Sequence, residues 1–267
     1  MQRRTMIGSL LGAAAWLCGP PARSQQASDG VAASLAPSGR LRVAINYGNA
    51  VLAQRNADTG KLSGVSVDIA EELGRRLALP VVLVPFDAAG KVFAAATKDG
   101  WDIAFLARDP ERARDIAFTA PYVVINGTYV VRKNSTLNTP EQVDRDGVRI
   151  AVSGQSIYDL FLTRTLKHAR IVRAASPPEA ALLFHSEHLE VCAGVQTAMQ
   201  QLLATDPGLR MIPEPFMQIN QAMGTPVGRT AGAAYLREFV ESIKADGFVK
   251  QALARNGQAD ATVAPPG

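Results

Sequence analysis

The segment Asp109-Pro110-Glu111-Arg112 begins with a helix-capping residue type and a proline suited to the first helical position. The spacing predicts Arg112 in the first turn of a helix. A cation is disfavoured at that end of the helix dipole, which asks for a reason. One reason is an anion, which a planar guanidinium can hold through two parallel hydrogen bonds; the other is a surface pairing with Glu111 or Asp115. Gly154-Gln155-Ser156 follows an apolar strand pattern and opens a helical one. Free backbone N–H groups and a hydroxyl at such a junction suit an anion, and Ser156 also reads as a plain N-cap. Asn46 and Asn49, with Gly48 between them, suit turn chemistry just past the first strand. Asp87, after Phe86, suits a cap on the next helix. His185 and His188 lie three apart with only Glu187 beside them, so no metal site is expected, and no cofactor. The sequence contains no Gly-x-Ser-x-Gly elbow, no P-loop and no zincin motif.

Alternating strand and helix patterns carry these residues. Leu41, Val43 and Ile45 alternate with Arg42 and Ala44 as a first strand. Residues 67–77 form a helix pattern with Ile69, Leu73 and Leu77 on one face. A strand over 81–84, a helix over 93–98 and a strand over 102–106 follow. The pattern restarts near Thr139-Pro140-Glu141, which opens a short helix. Strands then fall at 148–152, 171–172 and 189–193, and helices at 156–166, 178–184 and 195–204. Leu236, Phe239, Val240 and Ile243 form a last amphipathic stripe, ended at Asp246-Gly247, before a helix over 248–254. Such alternation predicts an α/β fold with parallel strands and helices on both faces, in two successive blocks.

The chain has 267 residues, 47% hydrophobic and 19% charged, which is ordinary globular composition. Residues 1–24 read as a secretory signal peptide: Arg3-Arg4, an apolar run to Cys18, a Gly19-Pro20-Pro21 break and Ala22-Arg23-Ser24 as cleavage site. The arginine pair leaves the general and the twin-arginine export routes both open. Bulky residues before Cys18 argue against a lipid anchor. The segment holds three arginines and no acid, so its removal lowers the net charge from +4 to +1. A nearly neutral chain gives no electrostatic reason to expect nucleic acid or a membrane surface as partner. Residues 25–38 read as a flexible leader. Cys192, among apolar neighbours, reads as a buried thiol.

Four segments, in order, resemble the periplasmic solute-binding proteins that serve polar amino acid ABC importers. They are residues 39–44, residues 60–70 (Gly-Lys-Leu-Ser-Gly-Val-Ser-Val-Asp-Ile-Ala), the block from Asp109 to Tyr122, and Lys244-Ala245-Asp246-Gly247-Phe248. The resemblance implies a bilobal periplasmic-binding-protein fold of type II, two α/β lobes joined by two crossover strands. Lobe I would comprise residues 39–125 plus 222–257 and lobe II residues 126–221. Residues 258–267 would be a disordered tail. The crossings would lie near residues 123–128 and 217–222.

The resemblance also implies roles. Arg112 would grip a ligand carboxylate, and Ser156, with Gly154 and Gln155, would hold it from lobe II. Asn46, Asn49, Phe86 and Asp87 would border the cleft, and Tyr122 would pack at the hinge. The protein would be a periplasmic monomer, not an enzyme, delivering a small carboxylate-bearing ligand to an ABC permease of the inner membrane. Two departures stand out. The stretch from Asp102 to Arg112 is about two residues short, with Leu106-Ala107-Arg108 in place of Ser/Thr donors. Val195 occupies the place of an aspartate that would bind an α-ammonium, so the ligand either lacks that group or meets another acid such as Asp87. The alternatives are a dehydratase-like enzyme, with Asp87 or Asp159 as general acid, and a sensory protein that presents a ligand to a receptor.

Overall fold

A computed structural model of the chain describes residues 30–258 and 261–267. The expected signal peptide and the first part of the expected leader therefore lie outside the described residues. Residues 30–35 (α1) are helical, with Leu35 fully buried against Gly232. That part of the expected flexible leader is thus docked, because Leu35 and Ala36 are apolar and Gly232 leaves them a groove. The Ser34 hydroxyl also accepts from the Gly232 N–H at 3.1 Å.

The first half is built on β1 (Leu41–Asn46), parallel between β4 (Val81–Phe86) and β5 (Ile103–Ala107). A short hairpin, β2 (Gln54–Arg55) and β3 (Leu62–Ser63), leads into α2 (Val65–Leu77). Val65, Ile69 and Leu73 bury one face of α2 at helical spacing, as the sequence period requires. α3 (Ala89–Ala94) follows β4. The chain then enters β6 (Ile116–Arg132), 17 residues long, which runs from the first half into the second. There β7 (Arg149–Ser153), α4 (Ile157–Thr165), β8 (Arg170–Ala174), α5 (Pro177–Ser186), β9 (Val191–Val195) and α6 (Gln196–Thr205) alternate. β7 is parallel to β8 and β9, and β10 (Leu209–Met211) lies along β6.

β11 (Met217–Pro226) returns to the first half, antiparallel to β6 from Met217↔Gly127 to Pro226↔Ile116. The register slips near Gln221 and Ala222, where β11 also starts to pair with β5. The strand order β4-β1-β5-β11-β6-β9-β7-β8 thus places β11 and β6 between two parallel units. The fold is a bilobal α/β fold of the type II periplasmic-binding-protein class. α7 (Thr230–Ala245) and α8 (Phe248–Arg255) pack back on the first half; Leu236, Phe239, Val240 and Ile243 of α7 are buried. Tyr122, in β6, is fully buried and meets Phe105 edge-on at 5.8 Å, so it acts in packing.

The expected disordered tail is also corrected. β12 (Thr262–Val263) pairs with Val124 and Val123 of β6, and Ala264 is buried. The tail covers an edge of β6 that would otherwise expose unpaired backbone groups. Lys244 Nζ donates to Pro265 O at 2.8 Å and to Pro121 O at 3.1 Å, tying tail and α7 to the same strand.

Candidate ligand-binding site

The C-terminal ends of β1, β5, β7 and β9 converge on one cavity between the halves, the usual place for a ligand beside parallel strands. It encloses about 50 Å³ of space for water-sized atoms, room for a few waters. Asn46 and Asn49 line it after β1, Leu106 and Ala107 at the end of β5, and Arg112 from the following turn. Ser153, Ser156, Ile157 and Tyr158 line it from β7 and α4, and Val195, Ala198 and Met199 from β9 and α6. Gln221 lines it from β11.

Arg112 is fully buried. It does not lie in a regular α-helix: Asp109 Oδ1 accepts from the Glu111 N–H at 2.9 Å, and the chain then makes one 3-10 turn over Arg112–Arg114. The predicted clash with a helix dipole therefore falls away. Arg112 Nη1 donates to Ala107 O at 3.1 Å and Nη2 to Gln155 O at 2.8 Å, across the two halves. Its Nε has no partner among the described residues. Burial without a carboxylate at contact distance lowers the guanidinium to about 10, despite the attraction of Asp109 and Glu111.

Asn49 is buried as well, and its Oδ1 has no partner among the described residues. Asn46 makes the turn chemistry expected of it, its Oδ1 accepting from the Gly48 N–H at 3.1 Å. Two residues that line one cavity each carry a buried polar atom without a partner among the described residues, which marks a place where a polar ligand would be satisfied.

Ser156 caps α4, its Oγ accepting from the Asp159 N–H at 3.1 Å, and borders the cavity. The backbone N–H groups around it differ from the sequence expectation. Gly154 N donates to Ala174 O, Gln155 N to Asp159 Oδ2 and Ser156 N to Ser153 O, at 2.8, 2.8 and 3.2 Å. These three donors are occupied, and Gly154 and Gln155 do not line the cavity. Gln155, at φ 58° in the left-handed region, instead aims its carbonyl at Arg112.

Phe86 and Asp87 also stand outside the lining. Phe86 packs against the buried cluster of Val92, Trp101, Ala104 and Leu106 in the first half. Asp87 pairs with Lys91 at 2.7 Å, and Ala88, not Asp87, is the N-cap of α3. Asp159, buried behind Ser156, pairs with Arg173 at 2.9 Å. Sequence reasoning passed over Ser153, Tyr158 and Gln221. Gln221 was masked by Gln218 and Asn220 in the same crossing strand, and Ser153 and Tyr158 carried no signal beyond their place at the β7–α4 junction.

Three further contacts hold the halves together. Arg164 Nη2 meets the buried Asp109 Oδ2 at 2.7 Å. Arg112 reaches Gln155 O, and Gly90 lies so close to Gly154 and Gln155 that a Cβ on it would stand 2.7 Å from Gln155 Cβ.

Comparison with known proteins follows this geometry. A curated relative, cyclohexadienyl dehydratase of Pseudomonas aeruginosa, is 26% identical over 187 residues. That match covers 68% of this chain and 65% of the relative, so the chain spans less than two thirds of its length. Among solved structures, the solute receptor for L-cysteine of Neisseria gonorrhoeae superposes with a TM-score of 0.74 at 19% identity, over 85% of this chain and 92% of that one. An ancestral amino acid-binding protein, a precursor of cyclohexadienyl dehydratase, gives 0.69 at 18% identity over 83% and 96%. The sequence model of the bacterial extracellular solute-binding proteins, family 3, matches residues 41–258, and this chain belongs to that family.

Proposed function

We propose that the protein binds a small carboxylate-bearing ligand in the cavity between its halves and passes it to an ABC permease from the periplasm. The observation that carries this reading is the fully buried Arg112, whose Nε has no partner among the described residues and which lines the cavity together with Asn49, whose Oδ1 is also without one. A carboxylate would take the free N–H and replace a neutral carbonyl on the guanidinium, restoring charge-assisted bonding to a buried cation. Ser156 and Tyr158 add hydroxyls from the second half. Closure would hinge on residues 123–128 of β6 and 217–222 of β11, with lobe I over 39–125 plus 222–257 and lobe II over 126–221. Export by the N-terminal segment and action as a monomer belong to the same reading. No described helix is long and apolar enough to cross a membrane.

The dehydratase relative supports a second reading, an enzyme acting on a carboxylate-bearing ring. Such an elimination needs a general acid beside the leaving group. No Asp, Glu or His lines the cavity among the described residues, and Asp87 and Asp159 are each engaged by a cation elsewhere. Burial raises the Tyr158 hydroxyl above its ordinary value, away from proton donation at neutral pH. Binding is therefore the better supported reading.

A thermal-shift screen of organic acids, amino acids and neutral sugars tests it. A ligand at 100 times its dissociation constant adds about 2.7 kcal/mol of stability. Carboxylate-bearing compounds should produce such a shift and sugars none. Stabilisation by sugars alone would sink the reading.

A further inference from the structure

Resting on the carboxylate reading above, we propose that the cavity selects ammonium-free dicarboxylates over α-amino acids and over monocarboxylates.

Position 195 carries the first part of the argument. Val195 is the N-cap of α6, which runs for 10 residues, and no side chain caps that helix. Val195 and Ala198 both line the cavity, so the uncapped first turn of α6 stands in its wall. α4, of 9 residues, also begins there. Each helix N-terminus presents roughly half an elementary positive charge. That of α4 is already met by the Ser156 hydroxyl and by the Asp159 carboxylate, which accepts from the Gln155 N–H at 2.8 Å. With the guanidinium of Arg112, the uncapped start of α6 brings the positive charge beside this space to about one and a half. Among the described lining residues there is no carboxylate to offset them. A dianion matches that balance; a zwitterion does not.

The second part comes from atoms left without partners. Arg112 Nε, fully buried, asks for one carboxylate on the lobe I side. The second carboxylate would face the open turn of α6 across the cavity. An α-ammonium would find only neutral acceptors among the lining residues, such as Asn49 Oδ1, and a buried cation without an anionic partner is costly. A hydroxyl on the ligand would satisfy the same oxygen without that cost. The apolar walls of Leu106, Ile157 and Met199 suit the carbon chain between the ends.

Malate, succinate, aspartate and 2-hydroxybutyrate separate the possibilities when titrated calorimetrically into the purified full chain. Malate and aspartate differ only in hydroxyl against ammonium; malate and 2-hydroxybutyrate differ in the second carboxylate. We expect malate and succinate to bind at least about tenfold more tightly than aspartate or 2-hydroxybutyrate. Val195→Asp, which places a carboxylate at the cap of α6, should weaken malate by at least about tenfold, whereas the uncharged Val195→Asn should retain it within about threefold. Aspartate binding as tightly as malate would overturn the exclusion of the ammonium. Equal binding of 2-hydroxybutyrate would overturn the second anionic end and leave the carboxylate reading standing. Failure of all four acids, with binding of a neutral ligand, would overturn the carboxylate reading itself.

Discussion

Replacing Arg112 by methionine should separate ligand binding from stability. The side chain is fully buried, and burial holds its guanidinium at about 10 instead of 12.5. A depression of that size corresponds to about 3 kcal/mol against the charged form. Both folded and unfolded states are protonated at pH 7, so the whole penalty is present there and is relieved only as pH rises through the folded value. Against it stand the hydrogen bonds to Ala107 O and Gln155 O, each worth about 1–3 kcal/mol to a charged donor. Methionine removes both sides of this balance while filling much of the volume. The ligand-free protein should therefore stay within about 2 kcal/mol of the parent, a change of at most about 8 °C in Tm. Ligand binding should behave oppositely. Losing a desolvated guanidinium–carboxylate pair costs about 3–5 kcal/mol, a rise in Kd of about a hundredfold or more. Thermal unfolding with and without the best ligand from the screen, together with calorimetric Kd values, measures both. If Arg112→Met loses much more than 3 kcal/mol of stability yet keeps its ligand-induced shift, Arg112 is a structural residue and the reasoning fails.

Gly90→Val should hold the halves apart, since even a Cβ at that position would crowd Gln155 Cβ and Gly154 O. Ligand affinity should fall at least about tenfold with ligand-free Tm changed by only a few degrees, and small-angle scattering should show a larger radius of gyration. Asp109→Asn breaks the ion pair with the half-exposed Arg164; the expected change is a few-fold faster ligand release, read by stopped-flow. Glu72, held at about 2 by hydrogen bonds from Arg75 and Arg76, has its carboxyl below its unfolded value. Its stabilisation is full above pH 4.5 and disappears as pH falls toward 2, so Glu72→Gln should flatten the acid limb of the stability profile. Removing residues 261–267 uncovers β6 at Val123 and Val124 and should lower Tm by a few degrees in a melting curve.

The site was legible where one residue type had to do one job, and obscure where hydrogen-bond partners decided the matter. Arg112 and Ser156 stood out because a cation before a short turn and a hydroxyl before a helix are locally conspicuous, and the structure brings both to the cavity. The N–H groups of Gly154, Gln155 and Ser156 looked available from their place at a helix start. Ala174, Asp159 and Ser153 occupy them, and two of those acceptors lie beyond the tripeptide's immediate neighbours. No sequence pattern announces that Gln155 adopts a left-handed conformation, which non-glycine residues seldom do. Phe86 ends an unbroken apolar run that shows no alternation, so the pairing of β4 with β1 decides which side it faces. Leu35 and Val263 were read as parts of loose ends because their partners, Gly232 and Val123, lie more than a hundred residues away.

The contact between Arg112 and Gln155 O ties the buried guanidinium to the second half. A buried guanidinium needs acceptors, and the second half offers a backbone carbonyl at 2.8 Å. That carbonyl is neutral, so it satisfies the hydrogen-bonding geometry of the cation without neutralising its charge. An incoming carboxylate supplies both, and it can do so only from the space that Arg112, Asn49 and the start of α6 enclose. The same side chain then favours closure weakly without ligand and strongly with it. By linkage, any substitution that opens the halves, such as Gly90→Val, should cost ligand affinity in proportion as the closed fraction falls. A variant that opened the halves while leaving Kd unchanged would break that linkage and, with it, the assignment of the cavity as the binding site.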